Sequence, residues 1–350
     1  MRILFDARSV RTPAGAYVFR GLTTAWQVED RVSSVLAAVP SDFNSDLLSP
    51  GVEPIRTSAS SWLQHVRIDL QRIADRARAD IVFVPNGLPP RDSRAVVYFQ
   101  DLYQFKAFSQ RGVSMRTRAF ELARAAWRRY AAPACRLAIP VSSDIHHEVV
   151  RRLHIPITMI PNGVDVGAAR WVGGSDRIVV MGGHGHRKGE SVAIRAWAQL
   201  SPKSRRGLRL DVIGAEPTER RQELQALANQ LGVQATVSIE GAIPREAFLE
   251  RVASSALALS CSRLEAFGLP VAEALAIGAP LLASDLPSHR ELVARAGAGE
   301  TVPAGNENAL ARRLASALSG TPPAQLKSVP LGWSWRERAR QHIDAYQSVS

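Results

Sequence analysis

Residues 265–291 read "EAFGLPVAEALAIGAPLLASDLPSHRE", a loop, an apolar helix, a Gly-Ala-Pro turn and a strand. Two carboxylates, Glu265 and Glu273, flank the run Phe267-Gly268-Leu269-Pro270. Gly268 permits close backbone approach, and Pro270 suits the first turn of a helix. Unpaired N–H groups at such a helix start suit a phosphate. Acidic side chains beside them accept hydrogen bonds from sugar hydroxyls. Phosphate-binding and polyol-binding groups therefore share one mouth, with Phe267, Gly268 and Leu269 supplying backbone amides.

Upstream, residues 178–190 read "IVVMGGHGHRKGE": strand, glycine turn, basic pair, helix. In open α/β sheets ligands sit beyond the carboxyl ends of strands, so this turn, with Gly182 and Gly183, is placed for a phosphate. Arg187 and Lys188 can neutralise a diphosphate, one through a fork and the other as a point charge. The alternative is a solvated basic turn.

Strand-like runs recur on both sides. In the first half they fall at 2–6, 33–39, 80–84, 95–99 and 137–141, with helical spacing at 62–78 between two of them. In the second half they fall at 177–181, 208–213, 236–239, 256–260, 280–284 and 299–302, separated by helices near 191–200, 219–231 and 246–254. This alternation predicts an α/β protein with two doubly wound, parallel-sheet (Rossmann-like) domains. The small-residue stretch "VGAARWVGGS" at 166–175 marks the break, giving domains at 1–168 and 172–332.

The chain of 350 residues is long enough for two cores, and 46% apolar with 22% charged residues is a globular balance. Two distant cysteines, Cys135 and Cys261, fit a reducing compartment. The start "MRILFDARSV" has no long apolar run, and no stretch reaches bilayer-spanning length, so the expectation is a cytoplasmic protein, soluble or held at the inner membrane face. The net charge of +12 is concentrated in the first half, most of all at Arg111–Tyr130. Phe120, Ala123, Trp127 and Tyr130 follow helical spacing there. A basic amphipathic helix suits an anionic membrane surface or an anionic acceptor; the alternative has Phe120 and Trp127 facing the core and the arginines facing water. Nucleic acid also fits the charge but is not the expected partner. The pairs His184/His186 and His146/His147 lack a matching ligand set, so no metal site is expected.

These segments carry a resemblance. Glu265, seven residues, then Glu273, with F-G-x-P inside, resembles the donor-site signature of retaining nucleotide-sugar glycosyltransferases of family 4 (glycosyl transferases group 1), which have the GT-B fold. "MIPNGVD" at 159–165 resembles the turn that closes the family's N-terminal domain, where Asn162 would contact the donor or serve the turn alone. The final "WSWRERARQHIDAYQSV" is similar to the family's last helix, here 334–350, which packs back on the N-terminal domain through Trp335 and Tyr346. "DARSVRTPAGAYVFRGL" looks like the family's loop after the first strand, with Gly15 admitting the donor. "VVYFQDLYQF" matches the family's strand ending in H-D-L, with Gln100 in place of a histidine that touches the transferred sugar. The turn at 182–189 matches the pattern G…P-R-K with His186 in the proline's place.

The resemblance implies acceptor binding by the first domain and donor binding by the second, across a cleft. Glu273 would hold the ribose and Glu265 the sugar ring. Arg187 and Lys188 would stabilise the leaving diphosphate, with no cofactor and no metal. The partners would be a nucleotide-diphosphate sugar and a glycan or lipid-linked acceptor. Gln100 keeps open an inactive sugar-nucleotide-binding or scaffold protein, and the fold keeps open a sugar-nucleotide epimerase.

Overall fold

The computed structural model describes residues 1–10, 12–59, 61–85, 87–102, 105, 115–326 and 332–349. The chain divides into two compact units, 1–163 with 332–350, and 164–331.

The first unit carries β1 (Arg2–Asp6), β2 (Ser34–Pro40), β3 (Glu53–Thr57), β4 (Ile81–Val84), β5 (Ala95–Phe99) and β6 (Leu137–Pro140). They form one parallel sheet in the order β3-β2-β1-β4-β5-β6. The central strands read as near-continuous apolar runs because helices cover both faces, and β4 and β5 are buried along their whole length. Strand β3 has no counterpart among the sequence-based strands. Its Glu53, Pro54 and Arg56 are exposed at the sheet edge, where no apolar pattern is required and a proline is tolerated.

Helices of eight residues or more are numbered in chain order. In the first unit they are α1 (Pro13–Gln27), α2 (Met115–Ala131) and α3 (Ser143–Val150). The expected helix at 62–78 is interrupted by a π turn, His65–Asp69, between Trp62–Gln64 and Leu70–Arg76. The turn aims the buried His65 at Asp6, Nε2 to Oδ1 2.9 Å.

The second unit carries β7 (Arg177–Met181), β8 (Arg209–Ile213), β9 (Val237–Ile239), β10 (Leu257–Ser260), β11 (Leu281–Ser284) and β12 (Glu300–Val302), parallel in the order β12-β11-β10-β7-β8-β9. Around them lie α4 (Glu190–Gln199), α5 (Thr218–Gln230), α6 (Arg245–Ser254), α7 (Leu269–Ile277), α8 (Pro287–Ala296) and α9 (Glu307–Leu318). Ile178, Val180, Ile194, Trp197, Leu210 and Leu259 sit at the centre of this core. The strand reversal falls between β10 and β7, so the loops leaving those two strands stand side by side.

Residues 164–168 pack with this second unit rather than the first. Arg245 donates to the carbonyl of Asp165, and Trp171 N–H donates to Ile277 O at 2.8 Å. The last helix, α10 (Trp335–Ser348), returns to the first unit. Ser334 caps it, its hydroxyl accepting from Glu337 N–H at 3.2 Å. The Trp335 indole lies between Gly21 of α1 and Gly163, where an added Cβ would stand 2.3 and 2.5 Å from its ring. Tyr346 is fully buried against Trp26.

Candidate active site in the second unit

The loop after β7 holds Gly182, Gly183, His184 and Gly185, then one 3-10 turn, His186–Lys188. The loop after β10 holds Ser262, Arg263, Leu264 and Glu265 and opens α7. The two are stitched together by main chain, Arg263 N–H to Arg187 O at 2.7 Å. They also touch at Gly189, where φ is +66° and a Cβ would lie 2.1 Å from the carbonyl oxygen of Cys261. Only glycine meets both conditions.

This stitching brings Lys188 and Glu265 together across 77 residues of sequence. Lys188 Nζ donates to Glu265 Oε1 at 2.6 Å, and the Ser262 hydroxyl donates to the same oxygen at 2.8 Å. Arg187 Nη1 lies 3.7 Å from Glu265 Oε2. Burial alone would raise the Glu265 pKa. The charges of Lys188 and Arg187, with hydrogen bonds from Lys188 and Ser262, outweigh it and hold the carboxyl at about 2. The result is a permanently ionised acid between two cations.

Gly268, with φ +89°, is the N-cap of α7, and no side chain caps this helix end. Its first-turn amides thus lack a side-chain acceptor, and Pro270 has no N–H to offer. Phe267 and Gly268 are buried and Leu269 is half-buried. Glu273 lies one turn further along α7 and takes a different partner, Arg245 Nη2 of α6 at 2.7 Å. Burial raises its proton affinity against the opposing charge of Arg245. The two glutamates therefore differ in character: Glu265 is pinned in its anionic form, and Glu273 is pushed towards the neutral acid.

Sequence reasoning missed several residues. Glu190, fully buried at the start of α4, accepts from Gly183 N–H at 3.3 Å and from Arg220 Nη2 of α5 at 3.1 Å. Arg220 also donates to His186 Nδ1 at 2.9 Å. Glu190 and Arg220 thereby hold the glycine turn from behind. The adjacent "KGE" was the one local signal for Glu190, and nothing local marks Arg220. His186 is engaged with Arg220, and among the described residues no group of three His, Cys, Asp or Glu is arranged to hold a metal ion.

The remaining candidates belong to the first unit. Gly15 lies inside the first turn of α1, its N–H donating to the capping hydroxyl of Thr12 at 3.1 Å, rather than in a free loop. Gln100, just past β5, donates its amide to Pro85 O at 3.1 Å. Asn162 is buried and accepts from the Tyr98 hydroxyl at 2.5 Å.

Each of the two readings of the basic helix holds in part. Residues 111–114 and the side chain of Arg116 lie outside what the structure describes. On α2, Trp127 turns inward and donates to Pro89 O at 2.9 Å. Arg128 is buried, its Nε donating to Gly87 O at 2.8 Å. The outward face is Met115 (78% exposed), Ala119, Phe120 (46% exposed), Leu122 (57% exposed), Ala123, Ala126, Arg129 and Tyr130.

Two family models match consecutive parts of the chain: Glycosyltransferase Family 4 over residues 37–168 and Glycosyl transferases group 1 over residues 168–340. No curated protein matches the chain in sequence. Among solved structures, the chain resembles sucrose-phosphate synthase from Thermosynechococcus elongatus, with 16% identity, a TM-score of 0.70 and 100% and 94% of the two chains covered. It also resembles WaaG, a glycosyltransferase involved in lipopolysaccharide biosynthesis, with 19% identity, a TM-score of 0.69 and both chains fully covered. HepE of Anabaena, solved with UDP and glucose, matches at 19% identity and a TM-score of 0.69 over 100% and 98% of the chains. At these identities the neighbours establish the two-Rossmann-domain GT-B fold. With the two models meeting at residue 168 and covering both halves of that fold, the chain belongs to the group 1 glycosyltransferases, and it is a glycosyltransferase enzyme.

Proposed function

We propose that this enzyme moves a hexose from a nucleotide-diphosphate sugar to a glycan or lipid-linked acceptor, with retention at the anomeric carbon and without a metal ion. The observation that carries this reading is the cluster of Lys188, Arg187 and Glu265 beside the uncapped start of α7. A leaving diphosphate gains negative charge as the glycosidic bond breaks. Preorganised cations and amides stabilise that charge, and removal of one such group costs on the order of a hundredfold in rate. Arg187 and Lys188 supply the positive charge a metal would otherwise bring. Glu265 orients both cations and offers its carboxylate to the sugar hydroxyls, and Glu273 accepts from the ribose. HepE, with the same fold, was solved with UDP and glucose, which supports a nucleotide-linked hexose as the donor class. Retention rests on the family resemblance of the Glu265–Glu273 segment.

The test is thermal stabilisation by a panel of nucleotide sugars, with Mg²⁺ and with a chelator, followed by product analysis. Saturation at a hundred times Kd should add about 2.7 kcal/mol. A shift that survives the chelator and is lost in Glu273→Ala supports the reading. Absence of any shift overturns it. Binding without turnover favours the inactive sugar-nucleotide-binding alternative that Gln100 suggests.

The outward face of α2 supports an anionic membrane surface as the place of work. It joins apolar side chains to Arg129, the combination that lies in a lipid interface. Among the described residues no helix is long and apolar enough to cross a membrane, so contact would be peripheral. Co-sedimentation with phosphatidylglycerol vesicles but not phosphatidylcholine vesicles, lost in Leu122→Glu, is the expected result.

A further inference from the structure

Beneath the start of α7 lies a fully buried histidine, His289 of α8. Its Nδ1 faces the carbonyl oxygen of Ser284 at 2.8 Å. A carbonyl only accepts, so Nδ1 carries the proton and Nε2 of the neutral ring presents a lone pair. That Nε2 has no hydrogen-bond partner although it is buried. It points at Gly268: a Cβ there would stand 3.1 Å from Nε2 and 2.9 Å from Cδ2. The ring thus fills the space that the missing side chain of Gly268 leaves, directly under the N-cap of the uncapped helix.

Its surroundings tie it to the site. The Ser284 hydroxyl donates to Ser262 O at 2.5 Å, and the Ser262 hydroxyl donates to Glu265. Ser288, beside His289, donates to the carbonyl of Glu265 at 3.3 Å. The charged groups whose fields reach the ring are Glu265, which favours an imidazolium, and Lys188, which opposes it. Asp285 and Arg290, from the ring's own segment, pair with each other at 2.9 Å. Burial lowers the proton affinity of His289, so the ring rests neutral.

A ring needed only for packing would serve better without an unpaired nitrogen, because buried polar groups are normally satisfied. We infer that His289 is a positioning residue of the donor site that takes up a proton from solvent when a diphosphate settles at the start of α7. The lone pair of Nε2 accepts the proton, the imidazole becomes an imidazolium, and its charge then faces the incoming anion through the Gly268 turn. Donor binding and protonation are linked: the anion raises the proton affinity of His289, and the proton raises the affinity for the anion. This deepens the donor-site reading above and rests on it.

UDP-glucose and GDP-mannose are suitable probes, because their diphosphates are diesters with no proton to exchange near neutral pH. Calorimetric titration in two buffers of different ionisation enthalpy counts the protons taken up. The expected result for the wild type is uptake of up to about one proton per bound nucleotide sugar, with affinity falling by up to about tenfold per pH unit as the pH rises. In His289→Asn, whose amide can still donate to Ser284 O, uptake vanishes and the affinity no longer changes with pH. A second measurement needs no variant: the nitrogen chemical shifts of His289 should report an Nδ1–H neutral ring in the free enzyme and a doubly protonated ring in the complex. Binding with no proton uptake, or uptake that persists in His289→Asn, overturns the inference while leaving the donor site intact. Failure of both probes to bind overturns the donor reading first and this inference with it.

Discussion

Lys188 Nζ and Glu265 Oε1 stand 2.6 Å apart, a nearly buried ion pair joining the loop after β7 to the loop after β10. Each loop is the one its sheet presents at the strand reversal. The pair therefore clasps the site and charges it. Without Glu265, two adjacent cations would repel; without Lys188, a largely buried carboxylate would lose its main partner.

Breaking this pair should cost both stability and function. Removing one partner of a buried pair typically destabilises by ~3–5 kcal/mol, so Lys188→Met and Glu265→Gln should each lower the urea midpoint. The double variant should recover part of that loss, since no charge is left unmatched. It should nonetheless remain about a hundredfold slower in sugar transfer. Full activity in the double variant would remove both residues from the mechanism.

The acid limb of stability carries the signature of Glu265. Its pKa sits below the ordinary carboxyl value of 4.5, at about 2. A depressed pKa adds stability above the unfolded value, and that stability is lost as pH falls through the folded value. Wild type should therefore weaken between pH 4.5 and 2, and Glu265→Gln should show a flatter profile there. Glu273, whose proton affinity is raised by burial, has the opposite sign: its contribution is present below 4.5 and fades as pH rises. Denaturant unfolding at a series of pH values separates the two.

Two glycines of one loop should respond differently to alanine. Gly185 and Gly189 both have positive φ, at +73° and +66°, but an added Cβ meets nothing within 4 Å at Gly185 and lies 2.1 Å from Cys261 O at Gly189. Gly185→Ala should cost only the left-handed backbone term, roughly 1–2 kcal/mol. Gly189→Ala should cost more and should also abolish nucleotide-sugar binding, because the two loops must part. Equal losses by thermal unfolding would refute this account of the stitch.

Trp335 should anchor the first unit's final helix. Trp335→Ala should destabilise by about 3–5 kcal/mol. Gly21→Ala should also destabilise, because its methyl would enter the indole's place. In the double variant the clash disappears, so the two losses should be clearly non-additive. Additive unfolding energies would show that the ring does not depend on that glycine.

Much of this was legible in the chain. Every strand with an apolar run was found within a residue or so, because a strand buried on both faces must be apolar throughout. Strand β3 was not, since an edge strand pairs through its backbone and its side chains owe the core little. The helix at 62–76 was legible, whereas its π turn was not: the turn accompanies a contact between His65 and Asp6, 59 residues away. On α2 the spacing was right, and Phe120, Ala123 and Tyr130 face outward while Trp127 turns inward. Periodicity identifies a face, but only the neighbours Pro89 and Trp62 show which way Trp127 turns.

By itself the sequence determined the alternation of strands and helices, the division into two sheets and the residue types of a phosphate-and-sugar site, because these are local patterns of hydrophobicity, glycine and charge. Only the tertiary structure decided which of those residues meet. Lys188 with Glu265, Glu190 with Arg220, Glu273 with Arg245, His289 under Gly268 and Trp335 between Gly21 and Gly163 are all long-range contacts. They follow from strand order and helix packing, and no local pattern in a chain encodes the distance between two of its distant parts.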